Sequence, residues 1–376
     1  DGIYCLHIGR LTSQREDKRI PNAYELNGEA QFSGKEKQKK RFSLGSNVKT
    51  YVVNMDSRPD RMKSFEKTSP INYERFSAVN GNLLKPNIQL QRIFENNDYN
   101  MRVGMVGCAM SHIKLCVDLL KSDLDMICVL EDDVTFSSTF KEQMKHLIQN
   151  LPADWDLIYL GHHLYPQYTN KDANKNEALP PRLEKWNYKT ARQKSMGGTH
   201  GYMISKDGAR KLLEFINNTG MTNGIDTVQQ KAINVMNTYY CFPHLVFSEC
   251  ALPGQTVDSD IQYNYTSLSL PDYKDSVARD EYPDRLKNDG VFNIDDALVY
   301  VDLKSKFKFY PNLDQIDNDC YRHQENIELC MIRALNDDKC VAFNTLGFFK
   351  AKIDELKPSP YFKSNDGIYV KVSAKI

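Results

Sequence analysis

The sequence predicts an α/β protein with a mostly parallel sheet, followed by a small α+β module. From Thr50 to about Pro271, short runs of β-branched and apolar residues alternate with segments of helical periodicity, as in a parallel sheet covered by helices. The clearest strand, 126–130, is apolar throughout, which indicates burial on both faces. After about Pro271 this alternation fades, and residues 314–376 show one amphipathic helix and short strand-like pieces.

The predicted elements follow one another along the chain. Strand 50–55 leads into a helix that begins near Pro59, because proline suits the first turn of a helix and the acid Asp60 beside it favours the helix dipole. Strand 73–79 is closed by the turn pair Asn80-Gly81. Further strands are predicted at 126–130, 155–161 and 201–205, with helices at 112–120, 140–151 and 207–216. In the last part we expect a helix near 317–335 and strands at 339–344 and 368–372.

Composition narrows the classes of partner. Lys plus Arg and Asp plus Glu both total 49, so the formal net charge is zero, which argues against nucleic acid or an anionic membrane as the main partner. No apolar run approaches the length of a membrane-spanning helix, so we expect a soluble protein. The 9 cysteines include no CxxC pair and no zinc spacing with histidine, which argues against a structural metal. The compartment stays open between a reduced cytosol, which is favoured, and a secretory lumen.

The chain is predicted to have three parts. Residues 1–46 are polar and charged and form an N-terminal extension or linker; their first four residues, Asp-Gly-Ile-Tyr, recur at 366–369, so they could be the tail of a preceding module. Residues 47–275 form the α/β domain, and residues 276–376 form a C-terminal accessory module. Three cysteines lie in that module, where disulfides are conceivable: Cys320, Cys330 and Cys340.

Three consecutive acids, Glu131-Asp132-Asp133, follow the buried strand 126–130. Stacked carboxylates repel one another unless a cation lies among them, and open α/β sheets bind ligands outside the carboxyl ends of their strands. On an extended chain, Glu131 and Asp133 share one face and Asp132 points away. The acids therefore either hold a divalent cation that bridges to a diphosphate or lie in a solvated loop and cap the next helix.

Other candidate ligand groups lie near predicted strand ends. Arg58 and Arg61 flank a helix start, where free amides and guanidinium groups suit phosphate, although exposed arginines are common in first turns. The glycine-rich stretch 197–201 predicts a turn that approaches a sugar or diphosphate, or a plain β-turn. Asp226 begins a helix, either as its cap or as a carboxylate that takes a proton from a hydroxyl.

Four signatures between residues 51 and 261 resemble glycosyltransferase family 25, which includes bacterial lipopolysaccharide sugar transferases and animal procollagen galactosyltransferases. They stand in family order and at family-like spacing: residues 53–61 (VNMDSRPDR) with 75–81 (RFSAVNG), 107–112 (GCAMSH), 130–134 (LEDDV), and 198–202 (GTHGY) followed by Asp226. The resemblance covers neither residues 1–45 nor the C-terminal module. That module's cysteine pattern resembles a PAN/apple-type domain.

The family resemblance implies a GT-A type, Rossmann-like fold and metal-dependent, inverting transfer of a hexose from a UDP-sugar. It implies Mn²⁺ or Mg²⁺ held by Glu131 and Asp133, with Asp132 either completing the metal shell or binding the donor's ribose. The metal would hold the diphosphate and neutralise charge on the leaving UDP, and Asp226 would act as the base. The other positions implied to bind the donor are Asn54, Ala78 and Val79 at the uridine, Arg58 or Arg61 at phosphate, and Gly198 and Thr199.

The expected partners are UDP-galactose, or next UDP-glucose, and an acceptor that is a glycan or hydroxylysine of a collagen-like protein. The alternative is a catalytically inactive homologue that serves as a binding or adhesion protein, although an inactive site has no reason to retain three stacked acids. A metal-dependent phosphodiesterase or nucleotidyltransferase is a third possibility. The sequence leaves open whether His244 or Asp260 completes the metal shell.

Overall fold

The structure is a computed structural model that describes residues 42–45, 47–98, 100–164, 182–186, 196–248, 267–268, 294–323 and 327–374. Most of the predicted N-terminal extension, the predicted boundary between residues 275 and 276, and Asp260 lie outside these ranges. The described residues contain one large mixed sheet and a smaller antiparallel sheet, together with two short two-stranded pairings.

The large sheet is the scaffold of the first part of the chain. Its region contains nine strands: β1 (Val48–Asn54), β2 (Glu74–Ser77), β3 (Met126–Glu131), β4 (Thr135–Phe136), β5 (Leu157–Leu164), β6 (Arg182–Lys185), β7 (Met196–Ser205), β8 (Thr238–Phe242) and β9 (Val246–Phe247). All but β4 and β9, which pair with each other, form one seven-stranded sheet in the order β2-β1-β3-β7-β5-β8-β6. Strands β1, β2, β3, β5 and β8 run in one direction, and β6 and β7 run against them. The predicted α/β class and mostly parallel sheet are confirmed.

Helices cover both faces of this sheet. They are α1 (Pro59–Thr68), α2 (Ile88–Ile93), α3 (Val103–Lys121), α4 (Phe140–Gln149), α5 (Lys206–Thr219) and α6 (Ile225–Lys231), with 3-10 turns at Gly81–Leu83 and Ala232–Asn234. Alternate residues of β3 face opposite layers: Val129 packs in the core beneath α3, α5 and α6, whereas Cys128 and Leu130 pack in the core beneath α1 and α4. This alternation explains why the whole strand is apolar.

Helix α3 is the longest helix of the described part of the chain and is central to the first core. By length and composition alone it could cross a membrane, but 72% of its most apolar stretch is buried inside the protein. The expectation that no apolar segment approaches this length is therefore wrong for α3. In the sequence, Ser111 and His112 interrupt the apolar run, but in the structure both are buried and hydrogen-bonded to other elements.

Three local predictions are wrong for identifiable reasons. Residues 197–201 are not a turn but part of β7, where glycines permit a close approach: a Cβ on Gly201 would lie 2.4 Å from Val246 Cγ2. Gly224, not Asp226, is the N-cap residue of α6. The predicted helix 317–335 is interrupted, since Asp317 and Asn318 take positive φ angles of 67° and 60° and a strand follows them.

The C-terminal part is built on the smaller sheet. Its strands are β10 (Phe307–Pro311), β11 (Leu313–Asp314), β12 (Asp319–Arg322), β13 (Ala342–Asn344), β14 (Phe348–Lys350), β15 (Lys357–Pro358) and β16 (Gly367–Lys371); its helices are α7 (Ile294–Ala297), a 3-10 turn (Lys304–Lys306) and α8 (Ile327–Leu335). Five of these strands form an antiparallel sheet in the order β10-β16-β13-β14-β12. Helix α8 packs on it through Cys330 and Met331. Cys320, Cys330 and Cys340 are present as thiols, not disulfides.

Candidate functional site

The carboxyl ends of three neighbouring strands meet at one edge of the large sheet. Asn54, the last residue of β1, is in register with Ser77 of β2, and Val53 is in register with Glu131, the last residue of β3. The acids Asp132 and Asp133 come directly after this point. This edge is where open α/β sheets bind ligands, so it is the candidate site.

Arg61, on the first turn of α1, lies between two of the three acids. One of its terminal nitrogens is 3.0 Å from Asp132 Oδ1 and 2.8 Å from Asp133 Oδ2. The two carboxylate side chains are only 6% and 5% exposed, and Arg61 is 17% exposed. Burial raises the pKa of Asp132, and the Arg61 charge and a hydrogen bond from Asn54 oppose that shift. The acids therefore lie in a partly dry environment together with a protein cation.

Asn54 connects the acids to the ends of β1 and β2. Its amide donates to Asp132 Oδ2 at 2.6 Å and to the Arg58 carbonyl at 2.9 Å, and its side-chain oxygen accepts from Arg75 Nε at 2.8 Å. Arg75 also pairs with Asp56. Both oxygens of Asp132 are thus engaged by protein donors, one by Arg61 and the other by Asn54. In this arrangement Asp132 links the start of α1 to the end of β1.

Arg58, the residue just before α1, contacts a different acid. Its guanidinium forms two hydrogen bonds with the exposed carboxylate of Asp60, at 3.2 and 3.1 Å. Its own side chain is 14% exposed. Arg58 is therefore held at the start of α1 by a solvated acid, whereas Arg61 is held by two buried ones.

Glu131 faces the other layer of the protein. Its Oε1 accepts a hydrogen bond from Thr199 Oγ1 at 3.1 Å and lies 3.8 Å from Nε2 of the buried His112. His112 Nδ1 is 2.9 Å from the Tyr202 hydroxyl. Burial alone lowers the pKa of His112, but hydrogen bonds with Cys108 and Glu131 outweigh it and raise that pKa to about 9. His112 is therefore a cationic partner for Glu131 at neutral pH.

The predicted pairing of Glu131 with Asp133 on one face is wrong. Strand β3 ends at Glu131, and the chain turns at Asp132 and Asp133, so the alternation of an extended chain no longer applies there. Glu131 contacts His112 on the α3 side of the sheet, whereas Asp133 contacts Arg61 on the α1 side. The two acids diverge, and Asp132 and Asp133 are the pair that share a partner.

The turn at Ala78 and Val79 is fixed between β1 and α3. The Ala78 amide donates to the Asn54 carbonyl at 3.0 Å, and the Val79 amide donates to Ser111 Oγ at 2.8 Å. Gly107 makes this contact possible, because a Cβ there would lie 2.4 Å from the Val79 carbonyl oxygen. The small residues at 107–112 thus bring α3 against the turn.

Asp226 lies in α6 and is 3% exposed. Its Oδ2 accepts from the Gly198 amide at 3.3 Å, and its Oδ1 accepts from the Thr227 amide at 2.7 Å. Burial raises the pKa of Asp226 in spite of these hydrogen bonds. Gly198 has a φ of +92°, in the region that favours glycine. The first half of β7 therefore contacts Glu131 through Thr199 and Asp226 through Gly198.

Four buried histidines, two of which the sequence analysis did not single out, lie beside this strand end. His162 and His163 lie near the end of β5, His200 lies in β7, and His244 follows β8. The side chains of all four are at most 3% exposed. The rings of His163 and His200 are 4.7 Å apart, and those of His162 and His244 are 4.2 Å apart. Burial, and secondarily the charge of His200, lowers the pKa of His244 to about 3. The sequence signal for this group was the pair His162-His163, which directly follows Gly161.

The described residues do not by themselves form a metal centre. Nowhere in the described ranges do three or more His, Cys, Asp or Glu side chains form a group that could hold a metal ion. The acids are the hard oxygen ligands that Mg²⁺ or Mn²⁺ prefers, but Glu131 and Asp133 diverge and Asp133 contacts a guanidinium. In this structure Glu131 and Asp133 therefore each have a cationic side chain nearby, His112 and Arg61 respectively.

The fold and the site define an α/β protein with a polar candidate ligand site at the carboxyl edge of its sheet. A comparison with protein families finds that residues 47–228 match the family described as glycosyltransferase family 25 (LPS biosynthesis protein). Residues 47–228 are therefore similar to glycosyltransferase family 25. The matched range contains every predicted site residue, from Asn54 to Asp226.

Similar curated proteins match different shares of this chain. A protein of Acanthamoeba polyphaga mimivirus, named "Putative glycosyltransferase R655", is 28% identical over 341 residues, which cover 86% of this chain and 94% of that protein. Procollagen galactosyltransferase 1-B of Xenopus laevis is 29% identical, over 43% of this chain and 27% of its own length. A Bos taurus family 25 member that is named as inactive is also 29% identical, over 43% of this chain and 28% of its own length.

Proposed function

We propose that this protein is an inverting glycosyltransferase of the GT-A type that moves a hexose, galactose before glucose, from a UDP-sugar to a hydroxyl group. The acceptor would be a glycan or hydroxylysine of a collagen-like protein. The observation that carries the proposal is Asp226: a carboxylate 3% exposed that is bound to the Gly198 amide, beside the strand end that holds Thr199 and Glu131. The family match and the relatives named as galactosyltransferases support it.

In this mechanism Asp226 is the base. The acceptor oxygen attacks the anomeric carbon, the bond from that carbon to the UDP oxygen breaks, and the hydroxyl proton passes to the Asp226 carboxylate. A raised pKa suits this role, because a base accepts a proton best when its pKa is close to the working pH. The burial that raises the pKa of Asp226 supports the assignment.

The uridine diphosphate is proposed to lie along the ends of β1 and β3. Asn54 and the turn at Ala78 and Val79 would form the wall of the uridine pocket, since hydrogen bonds fix that turn against β1 and α3. Arg58, whose guanidinium contacts the exposed Asp60, is the arginine proposed to contact phosphate. Gly198 and Thr199 would approach the sugar from β7.

The requirement for Mn²⁺ or Mg²⁺ stays a prediction. A cation that arrives with a diphosphate needs only one or two protein carboxylates, so such a requirement is compatible with the absence of a three-ligand group from the described residues. Glu131 and Asp133 remain the predicted protein ligands. Chelation by EDTA during the transfer assay tests this requirement directly.

The transfer itself is tested by UDP release. We expect release from UDP-galactose in the presence of an acceptor and Mn²⁺, and a fall of about 10²–10⁴-fold in kcat for Asp226→Asn, the range for loss of a general base. The matched control is Asp207→Asn, an exposed aspartate in the first turn of α5, which should retain wild-type turnover.

An inactive binding protein is the second candidate, and the Bos taurus relative named as inactive keeps it open. It predicts binding of UDP or a glycan with no turnover of any UDP-sugar by the wild-type chain. Equal UDP release by wild-type and Asp226→Asn protein would contradict the assignment of Asp226 as the base. Calorimetric titration with UDP distinguishes these outcomes from a misfolded preparation.

A further inference from the structure

Arg61 occupies the position at which a cation is required. Its terminal nitrogen is 3.0 Å from Asp132 and 2.8 Å from Asp133, and both carboxylate side chains are at most 6% exposed. Two buried carboxylates that follow one another along the chain repel each other strongly unless a positive charge lies between them. In this protein that charge comes from its own side chain.

The position of Arg61 is fixed by local structure. Pro59 sets the first turn of α1, and Arg61 stands two residues later in that turn. Asp132 is also held by Asn54, which Arg75 contacts in turn. Arg61 thus belongs to a polar network that joins α1 to the ends of β1 and β3.

We infer that Arg61 is the resident counter-ion of the acids that follow β3, and that it holds Asp132 and Asp133 in place when no divalent cation is bound. Arg61 is a positioning residue and does not contact phosphate. A divalent cation that approaches Asp133 competes with Arg61 for the same carboxylate, so Arg61 keeps the affinity for metal alone low. This inference concerns the protein without substrate and is independent of glycosyl transfer.

The test compares wild-type protein with Arg61→Met and with the control Arg210→Met. Arg210 also pairs with an aspartate, Asp207, at 2.7 Å, but on an exposed surface. Thermal unfolding is recorded in EDTA and in Mn²⁺ alone, without nucleotide. We expect Arg61→Met to have a lower Tm than wild type in EDTA and to regain part of that loss in Mn²⁺, while the Tm values of wild-type and Arg210→Met protein barely respond.

Direct binding of Mn²⁺, followed by the electron paramagnetic resonance signal of free Mn²⁺, gives the second readout. Arg61→Met should bind Mn²⁺ alone at least about tenfold more tightly than wild type, because Arg61 no longer competes for Asp133. Tenfold corresponds to about 1.4 kcal/mol of binding free energy. Equal affinities, or a Tm of Arg61→Met that does not respond to Mn²⁺, would overturn the inference. If Arg61→Met does not fold, Arg61→Lys decides: Mn²⁺ affinity above that of wild type supports the inference, since lysine replaces the arginine fork poorly, and equal affinity contradicts it.

The two proposals fail separately. Absence of UDP release by the wild-type protein would contradict glycosyl transfer but leave the Mn²⁺ results unaffected. Identical Mn²⁺ responses of wild-type and Arg61→Met protein would contradict the role of Arg61 and leave transfer intact.

Discussion

Burial determines the protonation behaviour of the individual residues at this site. It raises the pKa of the carboxyl group of Asp226, and it lowers the pKa of the imidazole of His244 to about 3, because a dry environment disfavours the charged form of each group. His112 is the exception, since its partners Cys108 and Glu131 outweigh burial and raise its pKa to about 9. The sequence identified Asp226 and Glu131, but it gave no sign that a buried histidine partners Glu131.

The His112–Glu131 pair predicts a loss of stability at alkaline pH. The folded-state pKa of His112, about 9, lies above the unfolded value of about 6.5. The proton on His112 therefore stabilises the fold fully below about pH 6.5, and this contribution is lost as the pH rises through about 9. In Glu131→Gln the pKa of His112 should fall, and the loss of stability should shift to lower pH.

Two measurements check this prediction. Imidazole proton shifts in NMR give the pKa of His112, and denaturant unfolding across the alkaline range gives the free energy. The control is Glu142→Gln, an acid in the first turn of α4, which should leave both unchanged. A pKa of His112 that is the same in wild-type and Glu131→Gln protein would show that Glu131 does not hold the proton.

At the scale of the elements, the sequence predicted what depends on periodicity and missed what depends on tertiary contacts. Strands β1 and β3 and helices α1, α4 and α5 lie close to their predicted positions, because alternation, a proline start and apolar spacing are local signals. The stretch 197–201 has the glycine content of a turn, but its glycines serve tertiary contacts: Gly201 is approached by Val246 and Gly198 by His163. The partner of Asp133 was missed for the same reason: Arg61 is brought to it only by the packing of α1.

The close packing of α3 against the turn at Ala78 and Val79 predicts a cost for adding a single methyl group. In Gly107→Ala the new Cβ would lie 2.4 Å from the Val79 carbonyl oxygen and 2.8 Å from the Gly81 amide nitrogen, which are backbone atoms that cannot rotate away. We expect a loss of about 1–3 kcal/mol in unfolding free energy, as for overpacked cores.

Chemical denaturation measures this loss, with Lys114→Ala on the same helix as the control, because that side chain is 35% exposed. UDP binding should weaken in Gly107→Ala if the turn forms part of the uridine pocket. Unchanged stability would mean that α3 and the turn can separate without cost.

At the scale of the whole molecule, the two sheets are joined by backbone hydrogen bonds and by a shared core. The Val301 amide donates to the Leu83 carbonyl at 2.6 Å, and the Lys85 amide donates to the Val299 carbonyl at 2.7 Å. Ile294 of α7 packs in the core that contains α3. The sequence indicated a separate C-terminal module from its fading alternation, but these contacts arise only after folding and leave no local pattern.

This junction predicts that the two parts unfold together. Ile294 is 1% exposed within the first core, so Ile294→Ala should lower the unfolding free energy by about 2–5 kcal/mol, the range for truncating a large buried aliphatic side chain. The segment 299–301, which follows α7, is hydrogen-bonded to Leu83 and Lys85. Calorimetry should therefore show one transition that moves as a whole to lower temperature. Val299→Ala, at a side chain 40% exposed, is the control and should leave the transition in place. Two transitions, of which Ile294→Ala moves only one, would mean that the sheets are independent units and that the C-terminal module does not stabilise the site.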